Sequence, residues 1–440
     1  MAALAGALLV SPVATPAPGT SPSPAPRPSA SAPGSAGSPA PSASVPIVPA
    51  NATRPPFVPC PTPPTPVARL PRPTPPPRDA ALPTIGGEGL ATAGLTVPAG
   101  APPPPTNISA TSWVVADLDT GAVLGACGPH ELSPPASVQK LLLAAAVLPK
   151  LDPAQVIEVT DADLDFEPGS SAMGLLAGGH YRIETLWLGL MLNSGNDAAN
   201  VLARLGGGDD GLAGGLRLMN ETARHLGALD THADTPSGLD GPNQFTSAYD
   251  LALISRADFA RPDFRTYTST QVASVPPQPP QDPKGFEMGN DNQLLYQYPG
   301  ALGGKVGFTD LARHTYVGAA ERNGRRLVVT LLGAETEPVR GWQQGAALLD
   351  WGFSVPAGAA VGRLVEPGET DPKPSPSHRS VPPALRSVSA VPVAAVPRSR
   401  RQAMSRWTPH NVGSLAVVVV TVPLALGVLL STLRRNRSKT

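Results

Sequence analysis

Cysteine is nearly absent from this chain. Cys60 and Cys127 are the two it carries in 440 residues, and neither belongs to a C-x-x-C pair. That excludes a zinc ribbon or a thioredoxin-type dithiol. One disulfide between them and two free thiols both stay open. The seven histidines show no H-E-x-x-H spacing, so a metallopeptidase motif is missing. No metal or cofactor is expected. Basic excess is missing too, with 33 Lys plus Arg against 33 Asp plus Glu. A nucleic-acid partner needs a clustered basic face, and none is expected here.

Proline is abundant instead, at 57 residues. It lacks a backbone donor and breaks helices and central strands, so it should gather outside any core. It gathers before about residue 106 and again between Pro367 and Pro397. Segments of this composition bury too little apolar surface to offset chain entropy. Residues 18–106 are therefore expected to be a disordered Pro/Ala/Ser-rich linker, and 356–410 a second Pro-rich linker. Residues 107–355 have ordinary composition and can hold one sizeable core.

Residues 411–433 carry no charge and are long enough for one membrane-spanning helix. Arginines flank both sides, so the positive-inside rule gives a tie. Residues 1–17 have a short apolar run followed by small residues but no basic start, and read as a weak or truncated signal peptide. On that reading the protein is a single-pass cell-membrane protein. Its central domain is extracellular and its basic tail, 434–440, cytoplasmic.

Within the central domain, "SWVVADLDTGAVLGAC" (112–127) reads as a hairpin turning at Asp119-Thr120-Gly121. Helical stretches follow from Ser137 to about residue 260. Asn323-Gly324 then marks a second hairpin, between "TYVGAA" and "LVVTLLGA". A hairpin, a run of helices, more strands and a last helix suggest an α+β fold, one antiparallel sheet flanked by helices.

Three short motifs carry chemistry. Ser137 and Lys140 are three apart at a helix start and share a face. Lys140 can serve as the base that a serine nucleophile needs, provided burial and neighbouring cations lower its pKa. Ser194-Gly195-Asn196 sits in a break between helices, where a hydroxyl and an amide can relay a proton and bind a carbonyl. Lys305-Val306-Gly307 lies in a strand, with Lys305, Gly307 and Thr309 on one face. S-x-x-K alone recurs by chance about once or twice in a chain this long. The ordered set S-x-x-K, S-x-N, K-x-G is far more specific.

With "WVVADLDTGAVL", "LMLNSGNDAANVLA", "TPSGLDGPNQFTSAYDLALI", "NDNQLL", "YPGALGGKVGFT" and "ERNGRRLVVTLLGA", the domain resembles the serine-type D-alanyl-D-alanine carboxypeptidases. These are low-molecular-weight penicillin-binding proteins of peptidase family S11. The resemblance implies a β-lactamase/transpeptidase-like fold with a helical subdomain. It also implies peptidoglycan stem peptides as substrate and β-lactams as covalent inhibitors. Ser137 would be the nucleophile, Lys140 the general base and Ser194 a proton relay. Asn196 would orient the substrate and hold Lys140. Lys305 would stabilise the charge network, and the Ser137 and Phe308 amides would form the oxyanion hole. Val306, Gly307 and Thr309 would line the substrate site, and Arg340 is a candidate for the terminal carboxylate. The family usually has Thr where Val306 stands, and its hydroxyl donates to that carboxylate. Two rivals follow: a catalytically impaired penicillin-binding pseudoenzyme, and a class A β-lactamase. The latter would need a glutamate with Asn four residues on, which neither Glu221 nor Glu287 has.

Overall fold

The computed structural model describes residues 56–76 and 84–372. Its strands are β1 Leu95–Thr96, β2 Ser112–Asp117, β3 Ala122–Cys127, β4 Val156–Glu158, β5 His180–Arg182, β6 Val272–Val275, β7 Phe286–Gly289, β8 Ala301–Thr309, β9 Arg313–Arg322, β10 Arg325–Ala334 and β11 Gly362–Arg363. Its helices are α1 Lys140–Val147, α2 Ile183–Leu192, α3 Asn196–Gly206, α4 Gly211–His225, α5 Ala248–Ala260, α6 Pro262–Ser269, α7 Leu294–Gln297 and α8 Gly341–Ser354.

The main sheet is antiparallel, in the order β1-β3-β2-β10-β9-β8, with β11 also paired to β3. Both expected hairpins form. In the first, the Asp117 carboxylate accepts from the amides of Asp119 and Thr120, at 3.1 and 2.9 Å. In the second, Asn323 and Gly324 both take positive φ, 54° and 75°, as the tight turn between twisted strands requires.

Side-chain alternation along β2 and β3 divides the core in two. Val114, Ala116 and Val123 face the helices α1 to α5. Trp113, Val115 and Leu124 face α8. There Trp113 and Trp351 meet edge to face at 6.0 Å. Both faces are covered, so every residue of β2 and β3 is buried.

The flanking segments depart from expectation. Residues 84–106 and 356–372 were assigned to linkers, yet they dock on the domain. β1 pairs with Ala126 and Cys127, and β11 with Ala122 and Val123. Since β2 takes one side of β3, both cover its other edge, which would otherwise be open for association. Leu90, Leu364 and Val365 are buried in the process. Residues 56–76 also attach. The Leu95 amide donates to Val58 O at 2.7 Å, Cys60 is disulfide-bonded to Cys127, and Arg69 donates to Gly333 O at 2.9 Å. Composition measures whether a segment can build its own core. These segments borrow one already built, and a covalent bond offsets part of the ordering entropy.

No described helix is long and apolar enough to cross a membrane. The expected span at 411–433, the signal at 1–17 and the tail at 434–440 lie outside the described residues.

Candidate active site

The site is built around the turn before α1. Residues Ala136–Gln139 form a 3₁₀ turn rather than the first turn of an α-helix. In a 3₁₀ turn residues i and i+3 eclipse, which brings Lys140 Nζ to 2.9 Å from Ser137 Oγ. Ala136 has φ 49°, a left-handed conformation costly for a residue with a side chain and common at functional sites. Two neighbours hold the turn. Thr315 Oγ1 donates to Pro135 O at 2.8 Å. Gly307 passes so close that a Cβ there would lie 2.8 Å from the Ser137 amide.

Lys140 is completely buried. Nζ donates to Asn196 Oδ1 and to Ser237 O, both at 2.7 Å. Burial, and then the charge of Lys305, push its pKa well below the ordinary lysine value, while Asp197 opposes the shift. A neutral amine has two N–H donors and one lone pair. The two oxygens are pure acceptors and take both donors. In that neutral form the lone pair is left for the third direction, where the Ser137 hydroxyl lies.

Asn196 opens α3, and its Nδ2 donates to Ser170 Oγ at 2.9 Å. The adjacent Asp197 accepts from the amides of Met173, Gly174 and Leu175, each at 2.9 Å. The loop carrying Ser170 is thereby tied to α3. Ser194, between α2 and α3, has φ 60°. Its Oγ is buried without a hydrogen-bond partner, and the residue lines the cavity.

Strand β8 forms the opposite wall. Thr268 Oγ1 fixes it by bonding both Gly304 O and Gly304 N, at 3.0 and 2.9 Å. Lys305 is buried, and its Nζ donates to Val306 O at 2.9 Å. Burial lowers its pKa to about 8, against the pull of Asp291. Burial raises the Asp291 carboxyl above its ordinary value, against the pull of Lys305. Thr309 Oγ1 donates to Asp240 Oδ1 at 2.8 Å. Phe308 is exposed and stacks against His314, with ring centroids 4.7 Å apart.

These elements enclose a cavity of about 350 Å3 that is lined by Ser137, Ser194, Asn196 and the run Val306 to Thr309, among others. Lys140 and Lys305 lie beneath it. Arg340 is the exception to the expected set. It is exposed at the N-terminus of α8 and does not line the cavity. Arg340 ends the loop after β10, and helix packing rather than a motif sets its place.

Ser170, Ser237, Asp291 and Thr315 were not singled out from the sequence. Ser237 acts through a backbone carbonyl, which no residue type marks. Asp291 stood inside the quoted "NDNQLL", where its charge was the available signal. Among the described residues, His130, Asp230 and Asp250 are close enough to share a metal ion, but they lie outside this cavity. The His130 ring nitrogens lie 2.8 Å from Asp230 Oδ2 and 3.0 Å from Ile85 O, which suits a clamp on the segment at Ile85.

Comparison with known proteins places the chain in one family. Residues 98–336 match the family model described as D-alanyl-D-alanine carboxypeptidase, peptidase S11. D-alanyl-D-alanine carboxypeptidase DacB2 of Mycobacterium tuberculosis is 43% identical over 272 residues, covering 61% of this chain and 90% of that protein. DacD of Escherichia coli is 35% identical over 265 residues, 57% of this chain and 64% of its own. A crystal structure of a D-alanyl-D-alanine carboxypeptidase from M. tuberculosis H37Rv superposes with TM-score 0.57 and 42% identity, covering 61% of this chain and all of that one. The Streptomyces K15 DD-transpeptidase gives 0.54 and 27% identity over 57% of this chain and all of its own. The chain belongs to the D-alanyl-D-alanine carboxypeptidase family, peptidase S11.

Proposed function

We propose that the protein is a serine-type D-Ala-D-Ala carboxypeptidase that removes the terminal D-alanine from peptidoglycan stem peptides. The observation that carries the reading is the position of the buried Lys140 Nζ, 2.9 Å from Ser137 Oγ and held at 2.7 Å by both Asn196 Oδ1 and Ser237 O. Ser137 Oγ attacks the penultimate D-alanine carbonyl while Lys140 takes its proton. The amides of Ser137 and Phe308 receive the oxyanion. Collapse breaks the C–N bond, and the departing amine gains a proton through Ser194, whose hydroxyl has no protein partner. Water then hydrolyses the acyl-enzyme and frees Ser137. β-Lactams acylate the same serine.

Val306 lacks the hydroxyl that family members usually offer to the terminal carboxylate. A hydrogen bond to a charged group contributes roughly 1.5–3 kcal/mol, so the valine attenuates turnover of free-acid peptides by about tenfold to a hundredfold.

The domain works outside the cell, tethered by a single membrane helix at 411–433 with residues 434–440 in the cytoplasm. The Cys60–Cys127 disulfide supports that placement, because disulfides persist in oxidising compartments.

The test is D-alanine release from a diacetyl-L-Lys-D-Ala-D-Ala peptide, with labelled penicillin to report acylation. Wild type should release D-alanine and Ser137→Ala should not. Penicillin labelling of wild type with no release from any stem peptide would refute the carboxypeptidase reading.

A further inference from the structure

Charge around the cavity is distributed in a way that bears on the leaving residue. No lysine or arginine lines it. Lys140 is spent on Asn196 and Ser237. Lys305 lies under the floor and donates to Val306 O. Arg313, beside the rim, is held by Glu335 through two bonds of 3.0 Å. Arg340 does not line the cavity itself, although its charge reaches His314, which does. His314 does line the cavity, but burial lowers its pKa and favours the neutral ring. Asp291, the acidic lining side chain, offers a carboxylate no favourable charge, although burial favours its protonated form and Lys305 offsets its ionised one, and Val306 offers no donor.

A free C-terminal carboxylate is therefore poorly served here, and a neutral group loses nothing. We infer that the cavity accepts stem peptides whose residue beyond the scissile bond ends in an uncharged amide or ester about as readily as the free acid. This rests on the carboxypeptidase reading and names its substrate class. The bond chemistry is unchanged. Ser137 Oγ bonds to the penultimate carbonyl carbon, the C–N bond breaks, and the leaving amine departs protonated as D-alaninamide instead of D-alanine. Both substrates yield the same acyl-enzyme, so their deacylation rates must coincide and any discrimination falls on acylation.

The experiment compares diacetyl-L-Lys-D-Ala-D-Ala with its C-terminal carboxamide, following released D-alanine or D-alaninamide by chromatography. For wild type the acid-to-amide ratio of kcat/KM should stay within about tenfold of one. Val306→Thr restores a hydroxyl and Asp291→Asn puts an amide donor in place of the acid, and each should raise the ratio by about tenfold or more. A wild-type ratio above about a hundred, or a ratio that neither variant moves, overturns the inference while leaving the carboxypeptidase reading intact. If neither peptide is turned over, that reading fails by itself. The cavity is then judged by Ser137 acylation with a penicillin and its methyl ester, on the same ratio.

Discussion

Gly307→Ala adds one methyl group at a tight contact in the site. That Cβ would lie 2.8 Å from the Ser137 amide nitrogen and 3.2 Å from Ala136 Cβ, and would clash with Thr315 Oγ1. Comfortable contact begins near 3.5 Å, so the turn or the strand must retreat by about 0.7 Å. Neither is free to do so. Thr315 Oγ1 is bonded to Pro135 O, Ala136 is already in a left-handed conformation, and Thr268 fixes β8 at Gly304. The nucleophile is then displaced from Lys140 and from the oxyanion site together. A misplacement of about 1 Å costs roughly a hundredfold in rate, while overpacking costs about 1–3 kcal/mol in stability. The assay is the second-order rate of Ser137 acylation by a fluorescent penicillin, with circular dichroism to confirm a folded domain. A drop of about a hundredfold in a folded protein is expected. Acylation within about threefold of wild type would show that the close approach does not position Ser137.

Three further outcomes follow from burial and covalent structure. The folded protein holds the Lys305 proton only to about 8, so penicillin acylation should decline as pH rises through about 8. Lys305→Arg should abolish that limb, because arginine stays charged. The same shift sets stability. The unfolded chain keeps this proton to about 10.4, so stability should rise with pH from about 8 to 10.4, by about 3 kcal/mol from this group. Chemical denaturation across that range, comparing wild type with Lys305→Met, checks it. The Cys60–Cys127 bond closes a sequence separation of 67 residues, which loop-closure entropy values at about 4 kcal/mol. Reduction or Cys60→Ser should lower the melting temperature by about 8–16 °C in a domain of this size. An unchanged melt would mean the segment at residues 56–76 is not held to the domain by this bond.

Local rules were legible wherever one stretch of chain supplies both partners. The i, i+3 spacing of Ser137 and Lys140, the Asn323-Gly324 turn and the helix break at Ser194-Gly195 are such cases, and each forms. The 3₁₀ character of the Ser137 turn was less accessible, because Thr315 and Gly307, far away in the chain, hold the turn in place. Arg340 is a different case: it stands exposed at the N-terminus of α8, not in the cavity lining, with its charge felt by His314.

By itself the sequence determined the family, through three short motifs in order, along with the hairpins that frame them. Those features depend on residue type and short spacing, which survive in one dimension. Tertiary structure decided the rest. It supplied Ser237 O as the second acceptor for Lys140, 97 residues away. It put Asp291 in a wall where no cation lines the cavity, and it docked two proline-rich flanks along one edge of β3. Contacts between residues so far apart leave no periodicity to read, and their energy comes from surfaces that exist only once the sheet and helices have closed.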